Sequence, residues 1–270
     1  MKRISAFVGL TFLFSWAAWL PVVVAELHTT ETAAGSILFF IGGFGPSIVG
    51  TVFLLTSRDF GGLRELLSRT FSFRRIPMRT LVPAVLAYPA LFLGVSVVFL
   101  LFGGNLPEFG GFAGLFESAP ALVGGILLTL FLGPLSEEIG WRGFMLPLVQ
   151  SRRGALVGSL VVGLVWWAWH IPLFFMDGTL HATQGFFSAF SIGYLITVVS
   201  YSVFFTWLYN QTKSSIWIAV IAHFSINMMI SGSSPFDGTI FAILSFVLLA
   251  AAVVLVIVRP KLARHSAPNV

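Results

Sequence analysis

Apolar residues run along this chain in eight blocks, at about 4–25, 35–56, 80–102, 120–149, 154–175, 186–210, 214–231 and 239–258. Most blocks reach the ~20 residues a helix needs to cross a hydrocarbon core about 30 Å thick. Inside a bilayer, backbone polar groups are satisfied only in helices or closed barrels. The pattern therefore predicts an all-α polytopic membrane protein, a bundle of about eight transmembrane helices forming a single membrane domain over 1–270. Gly133 and Pro134 interrupt the fourth and longest block, which predicts a kink or break there. The seventh block is short and is expected to draw on Gln211, Thr212 and Lys213 for length.

Composition sharpens this reading. With 57% hydrophobic and only 9% charged residues, there is too little charge to clothe a water-soluble surface. Cysteine is absent, which excludes disulfides, thiolate metal sites and a cysteine nucleophile. The excess of basic residues encodes orientation, not nucleic-acid binding. With the N-terminus in the cytoplasm, the cytoplasmic segments collect Lys2, Arg3, Arg58, Arg64, Arg69, Arg74, Arg75, Arg79, Arg152, Arg153, Lys213, Arg259, Lys261 and Arg264. The outer loops carry Glu26, Glu31, Glu108, Glu117, Asp177 and Asp237. Both termini are thus expected inside, with every loop obeying the positive-inside rule.

Several segments allow a second reading. Met1-Lys2-Arg3, the first apolar run and Val23-Val24-Ala25 have the layout of a signal peptide, although Trp16 and Trp19 and the length of the run suit a retained span better. Residues 57–79, with Leu63, Leu66 and Leu67 among the arginines, read as a solvated basic connector, or else as an amphipathic helix on anionic lipid. The Gly- and Phe-rich loop 103–119 reads as a flexible interfacial flap. Gly154 with Gly158, and Gly45 with Gly50, are expected to mark close helix packing. The tail after Arg259 is expected to be disordered.

The informative residues are the ionisable ones inside the apolar blocks: Glu137, Glu138, Arg142, His170 and His223. Each charge at mid-bilayer costs at least about 2.5–3.5 kcal/mol on insertion scales, so such groups face the bundle interior and mark function. Together with Asn227 they predict one shared polar chamber. Glu138 and Arg142 are four residues apart and form a pair on one helix face. Glu137 points about 100° away. His223 and Asn227 share a face, and Trp166 lies one turn from His170. Counted from the cytoplasmic helix ends at about 1.5 Å per residue, Glu137, His170 and His223 sit about 20, 24 and 12 Å deep, so convergence demands staggered helices or a break at Pro134.

A carboxylate screened from water can serve as general base or acid near neutral pH. An imidazole beside it can orient a water molecule, and a second imidazole with an amide NH2 can donate to an oxyanion. With no Ser/His/Asp arrangement, water is the simpler nucleophile. Two histidines and a glutamate also make a plausible zinc set, with Glu137, His170 and His223 as ligands of a divalent metal.

Glu137-Glu138-x-x-x-Arg142, aromatic-x-x-x-His170 and His223-x-x-x-Asn227 resemble the three-motif signature of the CPBP family, the type 2 CAAX prenyl endopeptidases and bacteriocin-processing (Abi) proteins. The resemblance covers about 120–231, the expected catalytic core. Trp166 departs from the Phe often found four residues before the first histidine. The resemblance implies an intramembrane endopeptidase acting on a protein or peptide substrate that enters from the membrane or cytoplasmic side, in CAAX-type processing or in leader processing and immunity. Carried over by position, Glu137 would activate water, His170 would help hold it, His223 and Asn227 would stabilise the oxyanion, and Glu138 with Arg142 would brace the site. Such a protein resides in the bilayer, the plasma membrane for a prokaryotic member.

Rival readings are a proton-coupled transporter built on the buried Glu/His cluster and a non-enzymatic membrane scaffold. The sequence carries neither a repeat nor a second intramembrane acidic cluster, which counts against transport. For single residues, Glu138 and Arg142 also read as a purely structural pair, and Asn227 as interhelical glue. Trp141, Trp166, Trp167 and Trp169 read as packing or chamber lining. His28, His181 and His265, in loops and tail, are assigned no role.

Overall fold

The computed structural model describes residues 2–56, 60–71, 73, 76–233, 236–260 and 262, and among these it is all helical. Arg58, Arg74, Arg75, Lys261, Arg264, His265 and most of the C-terminal tail lie outside the described residues.

Each apolar block corresponds to a helix or a broken helix. α1 is Lys2–Val24, α2 Ala33–Gly43, α3 Gly45–Thr56, α4 Phe60–Phe71, α5 Met78–Leu101, α6 Gly110–Leu115 and α7 Ala119–Leu130. The chain then breaks and resumes through a short turn α8 (Ser136–Glu138), a wide π-type stretch (Ile139–Met145) and α9 (Leu146–Arg153). α10 (Ala155–Trp169), α11 (Leu180–Gln184), α12 (Ala189–Gln211), α13 (Ile216–Gly232) and α14 (Gly238–Val258) complete the described chain. Six stretches are long and apolar enough to cross a membrane, and α2 with α3, bent by 47°, makes a seventh. The remaining block is the 17-residue α13. It does not borrow from Gln211–Lys213, because positive φ angles at Lys213 and Ser214 turn the chain between α12 and α13.

Small polar side chains stitch the spans together, as is common where lipid offers no hydrophobic drive for helix association. Ser15 donates to the Gly42 carbonyl at 2.7 Å, Ser202 to Ser159 at 2.7 Å, Ser225 to Val85 at 2.6 Å, and Thr197 to the Ser245 hydroxyl at 3.0 Å. α1 is integral to this core: Phe7 and Trp19 are buried, with Phe7 against Phe144 and Trp19 against Trp169.

Contacts at the two ends follow the charge pattern. At the basic end, the Leu156 N–H donates to the Leu262 carbonyl at 2.9 Å, and Asn210 donates to Gln150 at 3.4 Å. At the acidic end, Thr29 donates to the Asp177 carbonyl at 2.9 Å, and Phe190 meets Phe236.

The structure adds detail to three local expectations. The 57–79 segment is not merely a solvated connector. Within it α4 turns Leu66 into the core, and Arg69 donates to the Tyr209 hydroxyl at 2.6 Å and the Gly143 carbonyl at 3.1 Å. Within the 103–119 loop Gly110–Leu115 forms α6, whose Phe112 lies against Gly232 at the outer end of α13. Gly154 ends α9 and begins α10 with φ +84°, and Gly158 and Gly50 pack closely, on Gln150 and on Phe144.

Candidate active site

The break in the fourth block places the first motif. Leu132 (φ −98°, ψ 92°) and Gly133 (φ 117°, ψ −86°) leave helical geometry, a conformation only glycine adopts cheaply at the second position. Pro134 cannot restore the ladder because it lacks an N–H. Side chains repair part of the loss: the Gly133 N–H donates to Ser136 Oγ at 3.1 Å, and Ser47 Oγ donates to the Leu135 carbonyl at 3.3 Å. The turn that follows points Glu137 and Glu138 inward, and both are buried. Wide π-type turns such as Ile139–Met145 occur often at functional sites. The break expected at Gly133-Pro134 is what lets segments of unequal depth converge.

Glu138 is the anchor. Arg142 Nη1 lies 3.1 Å from both of its carboxylate oxygens, and His223 Nδ1 lies 3.0 Å from Oε1. The carboxylate is paired with a guanidinium, so it accepts, and His223 Nδ1 must carry the proton. That leaves His223 Nε2 turned toward the chamber. His170 is fixed in the same way: its Nδ1 lies 2.7 Å from the Trp166 carbonyl oxygen, so Nδ1 donates and Nε2 keeps its lone pair. Glu137 has a partner of its own, since Trp166 Nε1 donates to its Oε2 at 2.5 Å.

Glu137, His223 and Asn227 converge on one hollow beside the Gly133 backbone. An atom at the position of a Cβ on Gly133 would lie 2.9 Å from Asn227 Nδ2, 3.6 Å from Glu137 Oε1 and 3.7 Å from His223 Nε2. The carboxylate comes from the fourth apolar block, and the amide and imidazole come from the seventh. His170, at the end of α10, is tied to them through Trp166, whose ring contacts both histidines at centroid distances of 6.1 and 5.2 Å. All six residues singled out in the sequence are thus gathered in one chamber: Glu137, Glu138, Arg142, His170 and His223 are buried, and Asn227 is half-buried.

Two participants escaped the sequence reading. Trp166 does more than line the chamber: it bonds Glu137 through its indole and His170 through its carbonyl. His181, dismissed as a loop residue, stacks on His170 with ring centroids 5.7 Å apart and meets Tyr194 at 4.6 Å. Burial pushes the His181 imidazole down to about 4, so it is uncharged at neutral pH. Nothing in a single sequence signals that α11 folds back over His170. Trp141 and Trp169 pack in the core, and Trp167 stacks on Phe186.

Among the described residues, no three His, Asp or Glu side chains are grouped so that they could hold an ion.

A family model described as type II CAAX prenyl endopeptidase, Rce1-like, matches residues 118–229, a range that contains every one of these residues. Over these residues the chain is similar to type II CAAX prenyl endopeptidases. CAAX prenyl protease 2 of Methanococcus maripaludis is 25% identical over 224 residues, covering 81% of this chain and 80% of that protein. This similarity and the helical architecture together make the chain a multi-pass integral membrane protease acting on a protein or peptide. The comparisons lend the transporter alternative no support.

Proposed function

We propose that the 120–231 core carries out hydrolysis with a water molecule activated by Glu137, and that the substrate is a protein with a CAAX-type prenylated C-terminus. The observation that carries the chemistry is the single point beside Gly133 reached by a carboxylate oxygen, an imidazole nitrogen and an amide nitrogen. The choice of substrate is supported by the similarity to CAAX prenyl protease 2 of Methanococcus maripaludis.

In this reading Glu137 Oε1 accepts the water proton and His170 Nε2 holds the second hydrogen. The hydroxide adds to the scissile carbonyl. Asn227 Nδ2 donates to the oxyanion that forms. His223, its ring fixed by Glu138 at Nδ1, presents Nε2 on the same side. The proton on Glu137 then passes to the departing amine. Arg142 balances the charge of Glu138 and takes no part in bond making.

The test is direct. Purified protein in liposomes is given a prenylated CAAX peptide, the same peptide without its prenyl group, and a leader-type peptide. Release of the C-terminal tripeptide from the prenylated substrate alone is expected. Cleavage confined to the leader peptide would replace the substrate assignment, and failure to cleave any of the three would count against the reading.

A further inference from the structure

Glu137 has two carboxylate oxygens with different surroundings. Oε1 faces the hollow beside Gly133, and Oε2 receives the Trp166 indole N–H. A competing partner is close by. Arg142 is fully buried, and its Nε and Nη2 have no hydrogen-bond partner among the described residues. An unsatisfied buried guanidinium N–H is costly, and a second carboxylate would relieve it. What stands between them is Trp166. Its ring lies over the Arg142 guanidinium, with Cζ 4.7 Å from the ring centroid, while its N–H holds Oε2.

We infer that Trp166 is the positioning residue of the reaction: by its indole N–H it keeps Glu137 aimed at the hollow, and by its ring it keeps Glu137 from being captured by Arg142. The inference rests on Glu137 being the base proposed above. Phenylalanine, which the CPBP motif often carries at this position, would offer the ring without the donor. Trp166 touches no reacting atom. It acts through Glu137, and through its carbonyl on His170.

Two measurements test this. Trp166→Phe keeps the ring over Arg142 and removes the donor. The expected result is a fall in kcat of up to about 100-fold per folded molecule, with KM within about twofold. Trp166→Ala should lose more, because Arg142 is then uncovered. If the alanine variant does not fold, the phenylalanine variant still decides. Independently of any substrate, the indole N–H resonance of Trp166, assigned by its loss in Trp166→Phe, should move upfield in Glu137→Ala and stay in place in Asn227→Ala. Wild-type kcat in Trp166→Phe, or an indole resonance indifferent to Glu137, would overturn the inference. Wild-type cleavage by Glu137→Gln would overturn the base assignment instead, so the two failures are distinguishable.

Discussion

His223 Nδ1 and Arg142 Nη1 meet the same oxygen of Glu138, at 3.0 and 3.1 Å. One buried carboxylate therefore neutralises a guanidinium on its own segment and orients an imidazole from another span. A buried charge stripped of its partner is strongly destabilising, commonly by about 3–5 kcal/mol, whereas removing both partners is far milder. Glu138→Gln and Arg142→Met should each lower the thermal midpoint of the detergent-solubilised protein sharply, and the double variant should be more stable than either. Additive losses in this double-mutant cycle would show that the two side chains act independently.

Gly133 is a position where a single methyl group would reach the site. With φ at 117° an L side chain is strained, and its Cβ would occupy the hollow 2.9 Å from Asn227 Nδ2. Gly133→Ala should cost about 1–3 kcal/mol of stability and eliminate detectable cleavage even in the fraction that remains folded. Substrate turnover measured per folded molecule is the check, and turnover near the wild-type rate would exclude the hollow as the reaction site.

Asn227 is half-buried, so its loss leaves no fully buried partner stranded. As an oxyanion donor its contribution belongs to the transition state. Asn227→Ala should lower kcat by about 10²–10³ and leave KM nearly unchanged. A rise in KM alone would assign Asn227 to substrate binding instead.

The architecture was largely legible in the sequence. Hydropathy is dictated by the bilayer, and each apolar block became a helix or a broken one. The Gly133-Pro134 break and the Glu138–Arg142 pair were legible too, because both are local: one follows from backbone chemistry and the other from helical spacing. What could not be read was tertiary. That Glu138 also holds His223 depends on how α13 packs, 85 residues away in sequence. Trp166 read as lining because an indole looks the same whether its N–H is idle or bonded. His181 sits in a loop, and only the fold-back of α11 brings it onto His170. Leu66 among arginines suggested solvent or lipid, since amphipathicity cannot tell a protein surface from a membrane surface.

α4 provides a separate test of that last correction. Arg69 ties it to α12 through Tyr209 and to the π-type stretch through the Gly143 carbonyl. Hydrogen bonds to a charged group are worth about 1.5–3 kcal/mol. Arg69→Ala should lower stability by roughly that amount and speed amide exchange in Phe60–Phe71, with KM unaffected. Unchanged exchange would mean that α4 is held by lipid and not by the bundle.

The central claim is that Glu137 activates water in a chamber assembled from separate spans. The most direct measurement compares Glu137→Gln with wild type for cleavage in liposomes, alongside thermal melts of both. Glutamine keeps the size of the side chain and an oxygen for Trp166 but cannot take a proton. The account predicts no detectable cleavage from a protein that melts like wild type. Wild-type turnover by the glutamine variant would contradict it.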